Sequence, residues 1–183
     1  MQPRRLRGSL TQGMLALAML PMLLLDPLPP GAMLPPLTGE YLTGRKAQLP
    51  ADAQGKVALL LFGFTYGSRF AVEKYAERFR EAYSGREGVT FFEIPMIGGV
   101  ARLGKFFIDR GMRSGTPKAL HENVITVWGG TDPWKKRFGV TRASEEHAFL
   151  VLVDRSGRVA WSAHGPFRDE LFAELSRRIE AAL

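Results

Sequence analysis

Apolar and polar positions along this chain follow two rhythms that take turns. Val57 to Phe64 (VALLLFGF) is an unbroken apolar run, the pattern of a short strand covered on both faces. From Phe70 to Tyr83 the apolar positions fall at Val72, Tyr75, Ala76, Phe79, Ala82 and Tyr83, which predicts an amphipathic helix. Val89 to Ile97 (VTFFEIPMI) reads as a second strand. Val100, Leu103 and Phe107, with Arg110 in line, then trace a helical stripe that Gly111 should stop. His121 to Trp128 is a third strand, and Asp132 to Val140 a short helix with Asp132 as N-cap and Pro133 at its first position. Ala148 to Asp154, a turn at Arg155 to Arg158, and Val159 to Ala163 form a hairpin. A last helix, Arg168 to Leu183, shows an apolar face of Leu171, Phe172, Leu175, Ile179 and Leu183. Strands that alternate with helices imply an α/β fold: a mostly parallel central sheet, an antiparallel C-terminal hairpin and helices on both faces.

The N-terminal third breaks this rhythm. Residues 1–32 are expected to be a signal or targeting leader, with a basic, acid-free start and a continuous apolar stretch from Met14 to Leu25 that only Pro21 interrupts. Twelve residues rise about 18 Å as a helix, short of a hydrocarbon core of roughly 30 Å, so export to the periplasm or cell envelope is favoured over a conventional spanning helix. The alternative is a mitochondrial presequence, leading to the inner membrane or matrix. Residues 33–54 are rich in proline and glycine and read as a linker that becomes an extended lead-in. Residues 55–183 are the expected domain, in a chain of 183 residues that has material for one core.

Charge changes the picture little. The chain carries a formal +7 and an isoelectric point near 10.0, but Arg4, Arg5 and Arg7 lie in the leader. In the run from Glu73 to Glu87 acids and bases are interspersed, unlike the clustered basic stripe of a nucleic-acid face, so no nucleic-acid partner is expected. Cysteine changes it more. The chain has none, which removes disulfides, thiolate metal sites, cysteine nucleophiles and iron–sulfur clusters.

The order of elements between Gly55 and Leu183 resembles the thioredoxin superfamily. Within it, FGFTYGSRFA (Phe62 to Ala71) is similar to the FGFTYCxxxC segment of the copper-chaperone branch, with Gly67 and Ala71 standing at the two cysteine places. The family's chemistry needs a thiolate at a helix N-terminus or a thiolate pair for soft Cu(I), and neither residue supplies one. The cis-proline that resemblance implies before the hairpin is replaced by Glu145-Glu146-His147. A longer stretch, Ile94 to Trp128 and Phe138 to Phe167, resembles the thioredoxin-like family that includes the mitochondrial assembly factor for the membrane sector of F-type ATP synthase. It does so through GMRSGTP (Gly111 to Pro117) and an LVD-x-x-GR-x-x-W hairpin. That resemblance implies a non-catalytic, assembly or chaperone-like role at a membrane, with a protein partner such as a membrane complex of the ATP synthase kind.

Two loops are the candidate partner-binding sites. Thr65, Tyr66, Gly67, Ser68 and Arg69 lie at the C-terminal end of the first central strand, where open α/β sheets bind ligands, with Ser68 as the expected helix cap. Arg110, Arg113 and Lys118 make a basic loop suited to an acidic partner or anionic headgroups, hence a peripheral membrane contact. No catalytic residue and no cofactor is expected. The alternative is a metal-assisted or other non-thiol enzyme drawing on His121, Glu146 and His147, which would meet only if the starts of two strands were adjacent. A copper carrier using Met96, Met112 and His164 would need scattered residues to converge. Trp128, Trp134 and Trp161 read as packing residues, with Trp134, beside Lys135, Lys136 and Arg137, as a candidate exposed anchor.

Overall fold

The structure, a computed structural model, describes residues 28–183; most of the expected leader lies outside them. Among the described residues, seven strands form one sheet in the order β2 (Lys46–Leu49), β1 (Leu37–Tyr41), β5, β4, β3, β6 and β7. Its centre is β3 (Val57–Gly63), flanked by β4 (Val89–Ile97) in parallel and β6 (Ala148–Val153) antiparallel. β5 (Ile125–Trp128) continues the parallel part, and β7 (Val159–Gly165) closes the hairpin with β6.

The unbroken apolar run is explained by its position. Ala58, Leu60 and Phe62 point into one core cluster and Val57, Leu59 and Leu61 into another, so period-two alternation puts apolar groups on two covered faces. One face is roofed by α1 (Arg69–Tyr83) and α4 (Asp169–Ala182) through Tyr75, Phe79, Phe172, Leu175 and Ile179. The other is roofed by the N-terminal segment, through Leu28 and Leu34, and by α3 (Thr131–Arg137), through Trp134.

The N-terminal boundaries shift. The residues expected to be a linker form β1 (Leu37–Tyr41) and β2 (Lys46–Leu49), an antiparallel hairpin that pairs with β5 and extends the sheet. Residues at the end of the expected leader also belong to the fold: Leu28 is buried and the Gly31 amide donates to the Val159 carbonyl at 2.7 Å. Gly39 shows why a glycine-broken segment still makes a strand. A Cβ there would stand 2.6 Å from Ile125 Cγ2 and 2.8 Å from the Thr126 carbonyl, so only glycine lets β1 approach β5.

Two helix readings also change. α3 begins at Thr131 behind Gly130, which has φ +62°, so Gly130 occupies the cap position and Asp132 and Pro133 sit in the first turn. Trp134 is not an exposed anchor: it is buried and stacks on Phe62 at 5.3 Å, because an indole contributes more as core than as a surface group. The stripe that Gly111 was expected to stop becomes a 3₁₀ turn, Gly99–Gly104, and α2 (Lys105–Gly115), which runs through Gly111. Leu103 and Phe107, read as its inward face, point to solvent.

Candidate binding site

The loop after β3 is built by its own short side chains. The Ser68 hydroxyl donates to the Thr65 carbonyl at 2.7 Å and accepts from the Thr65 amide at 3.2 Å, while the Ser68 amide donates to Thr65 Oγ1 at 3.2 Å. Ser68 therefore holds the cap position but spends its hydroxyl backward on the loop, with no bond forward to the first helical turn. Thr65 Oγ1 also donates to the Glu145 carbonyl, tying this loop to the segment before β6.

The space beside Gly67 is filled from outside. A Cβ at Gly67 would lie 2.7 Å from Glu146 Oε1, so the carboxylate occupies the space a side chain would need. Beside it, His147 and His164 stack with their Nδ1 atoms 3.0 Å apart. One ring must donate and the other accept, so the contact requires at least one neutral imidazole. Burial and then the neighbouring His147 hold the His164 pKa below the usual imidazole value.

The candidate metal ligands do not converge. His121 precedes β5, and its Nε2 lies 3.0 Å from the Thr116 carbonyl. His147 precedes β6, which runs antiparallel to the parallel strands and is separated from β5 by β4 and β3, so the two strand starts lie at opposite ends of the sheet. Among the described residues no three His, Asp or Glu side chains are placed to hold a metal ion. Met96, Met112 and His164 likewise do not gather: the two methionines face a cavity and His164 stacks on Phe149.

The two loops named from sequence meet on either side of that cavity, of about 650 Å³. Thr65, Tyr66 and Arg69 form one lip, and Gly111, Met112, Gly115 and Thr116 of α2 and its end form the other. Pro95, Met96 and Ile97 of β4 make the floor. Arg69 lies over the Tyr66 ring, donates to its hydroxyl at 2.9 Å and approaches Glu73 at 3.6 Å. Tyr66 itself is 76% exposed.

The segment read as a basic loop is helical at Arg110 and Arg113, which lie in α2, and its three cations divide. Arg113 is tied into the fold, its Nε donating to the Leu42 carbonyl at 2.8 Å and its guanidinium facing Glu40 at 3.5 Å, while 44% of its side chain stays exposed. Arg110 and Lys118 are exposed.

Sequence reasoning missed one residue of this site, Glu93. It stands on the α1 side of β4, lines the cavity, and accepts no hydrogen bond from the described residues. Burial, reinforced by Glu73 and opposed by Arg80, pushes its pKa up to about 7. The signal was present as the single acid inside an otherwise apolar strand, VTFFEIPMI.

These features define a thioredoxin-like fold, with an α/β sheet whose first strand–loop–helix carries no sulfur. The chain is similar to a protein assigned as the thiol:disulfide interchange protein DsbE from Chlorobium tepidum, at 19% identity and a TM-score of 0.56 over 85% of this chain and 98% of that one. It is similar to the thioredoxin domain of a thiol-disulfide oxidoreductase from Bacteroides vulgatus, at 17% identity and 0.56 over 83% and 99%. It also resembles the exposed lipoprotein thioredoxin of Streptococcus pneumoniae, at 13% identity and 0.55 over 80% and 99%. No protein-family model and no curated protein sequence matches the chain.

Proposed function

We propose that this protein is a redox-inactive thioredoxin-like binding protein, assembly or chaperone-like in role, that holds an apolar segment of a partner protein in the cavity between the Thr65–Arg69 loop and α2. The observation that supports this reading is the convergence of both loops on one largely apolar cavity beside a thioredoxin site without thiols. A ligand pocket of this kind is concave, mostly apolar and supplied with few polar groups. Here the polar lining residues include Thr65, Tyr66, Arg69, Glu73, Glu93 and Thr116.

The envelope is the compartment this reading favours, as the leader implies, and a membrane complex is the favoured partner class. The likeness to the assembly-factor family makes ATP synthase one such complex; the likeness to the copper-chaperone segment contributes only the loop's position. No described helix is long and apolar enough to cross a membrane.

Filling the cavity tests the proposal. A Cβ added at Gly111 meets no atom within 4 Å and Gly111 lines the cavity, so Gly111→Phe is directed at open space and not at the core. Co-purification of the native partner is expected to be lost while the circular dichroism spectrum and melting temperature stay close to those of the parent. Retained co-purification with the cavity filled would overturn the site.

A further inference from the structure

α2 is built inside out. Its one buried residue is Asp109, while Leu103, Phe106 and Phe107 on the preceding turn and the helix are 93%, 69% and 77% exposed. Their spacing puts all three on one side, and the two phenyl rings meet edge-on at 5.6 Å. Contiguous apolar surface of this kind on a soluble domain marks an interaction site.

The orientation is held by polar ties. Lys105 reaches Asp109 at 2.5 Å and Glu40 at 3.4 Å, and Arg113 bonds the Leu42 carbonyl and faces Glu40. Rolling the helix to bury its phenylalanines would break every one of these bonds. The ridge is flanked mainly by cations: from Gly99 to His121 the sequence has five bases against one acid, Asp109; Asp109 and the neighbouring Glu40 pair with Lys105 and Arg113, while Arg110 and Lys118 are exposed. Three large apolar side chains standing proud of the surface, with cations beside them, suit a soft anionic medium.

We infer that the outward face of α2 is a docking surface for an anionic lipid bilayer, with Leu103, Phe106 and Phe107 entering the headgroup–acyl boundary and Arg110 and Lys118 meeting lipid phosphates. This deepens the membrane part of the proposed function and uses a face of α2 that the cavity does not.

Because the chain has no cysteine, a single introduced thiol carries a label to one place. Full-length protein bearing Phe107→Cys, and separately Leu103→Cys, is labelled with an environment-sensitive fluorophore; Glu81→Cys, on the exposed side of α1, is the control. With vesicles of phosphatidylglycerol and phosphatidylethanolamine, a blue shift quenched by lipid-borne quenchers is expected at positions 103 and 107, with no change at 81. The shift should be lost on adding Arg110→Glu and Lys118→Glu, and be absent with phosphatidylcholine vesicles. Labels at 103 and 107 that stay water-exposed on anionic vesicles would overturn the inference, even where the leader alone carries the chain to the vesicle. An equal shift with phosphatidylcholine would overturn its anionic part, and a shift that grows with protein concentration without lipid would assign the face to a second copy. Failure here leaves the Gly111→Phe result unaffected, so the two readings fall separately.

Discussion

α1 and α2 carry the same helical rhythm and put it to opposite use. In α1, Val72, Tyr75, Ala76 and Phe79 pack on the sheet, while charged pairs such as Lys74–Glu77 and Arg78–Glu81 stand in solvent. In α2 the polar side faces inward, to Glu40 and the Leu42 carbonyl, and phenylalanines face outward. Periodicity measures how strongly a helix is divided into two faces and says nothing about which face the rest of the molecule claims. That choice was made by the neighbouring strand: β3 and β4 offer α1 an apolar sheet, whereas the edge hairpin, from β1 and the turn after it, offers α2 the Glu40 carboxylate and the Leu42 carbonyl.

The sharpest way to break the comparison is to truncate matching aromatics. Phe79 is buried and packs on Tyr83 at 4.9 Å and Phe91 at 5.3 Å, so Phe79→Ala is expected to destabilise by about 3–5 kcal/mol. Phe107→Ser should stay within about 0.5 kcal/mol, because that ring is 77% exposed. Urea denaturation of both variants measures the contrast; similar losses would mean that α2 is packed after all.

Glu93, on the strand beneath the cavity between the two helices, gives the next largest effect. Its pKa rises from 4.5 to about 7 in the fold. The folded state therefore binds the proton more tightly than the unfolded chain, and stability falls as pH rises between those two values. Holding the ionised form costs on the order of 3 kcal/mol. Glu93→Gln should accordingly melt higher than the parent at pH 8 and nearly level with it at pH 4.5, as followed by thermal denaturation across that range.

The histidine pair gives the smallest. His164 has its pKa depressed below the usual imidazole value of 6.5 by burial and by His147, so the stability present above that value is lost as pH falls through the depressed pKa. Exposure screens the effect to a few tenths of a kcal/mol. His164→Phe should flatten the pH dependence of the melting temperature below pH 6.5 and leave it unchanged above.

Much of the fold was legible because its strongest signals are local. The run from Val57 to Phe64, the stripe through Phe79 and the hairpin turned by Asp154 to Arg158 each declare their own structure. β1 and β2 were not legible, since Gly39 and the surrounding prolines read as linker until Ile125 is seen to require a residue without a side chain there. The cavity was half legible. Both of its lips were named as loops, but their convergence depends on α2 running past Gly111, which the sequence marked as a stop. That Arg113 is also tied to Glu40 was not legible, because charge along a segment is visible and a partner far earlier in the chain is not. The histidine pair was hidden for a similar reason: only the β6–β7 register, with Phe149 opposite His164, makes His147 a diagonal neighbour.

The account rests most heavily on the cavity as the place where a partner is held. Photo-crosslinking in the native host, with the reactive group at Thr65 on one lip, at Met112 on the other and at Glu81 on the outside of α1, tests it directly. The same partner captured from 65 and 112, and nothing from 81, is the predicted result. Capture from 81 as strong as from the lips, or different proteins from 65 and 112, would contradict it.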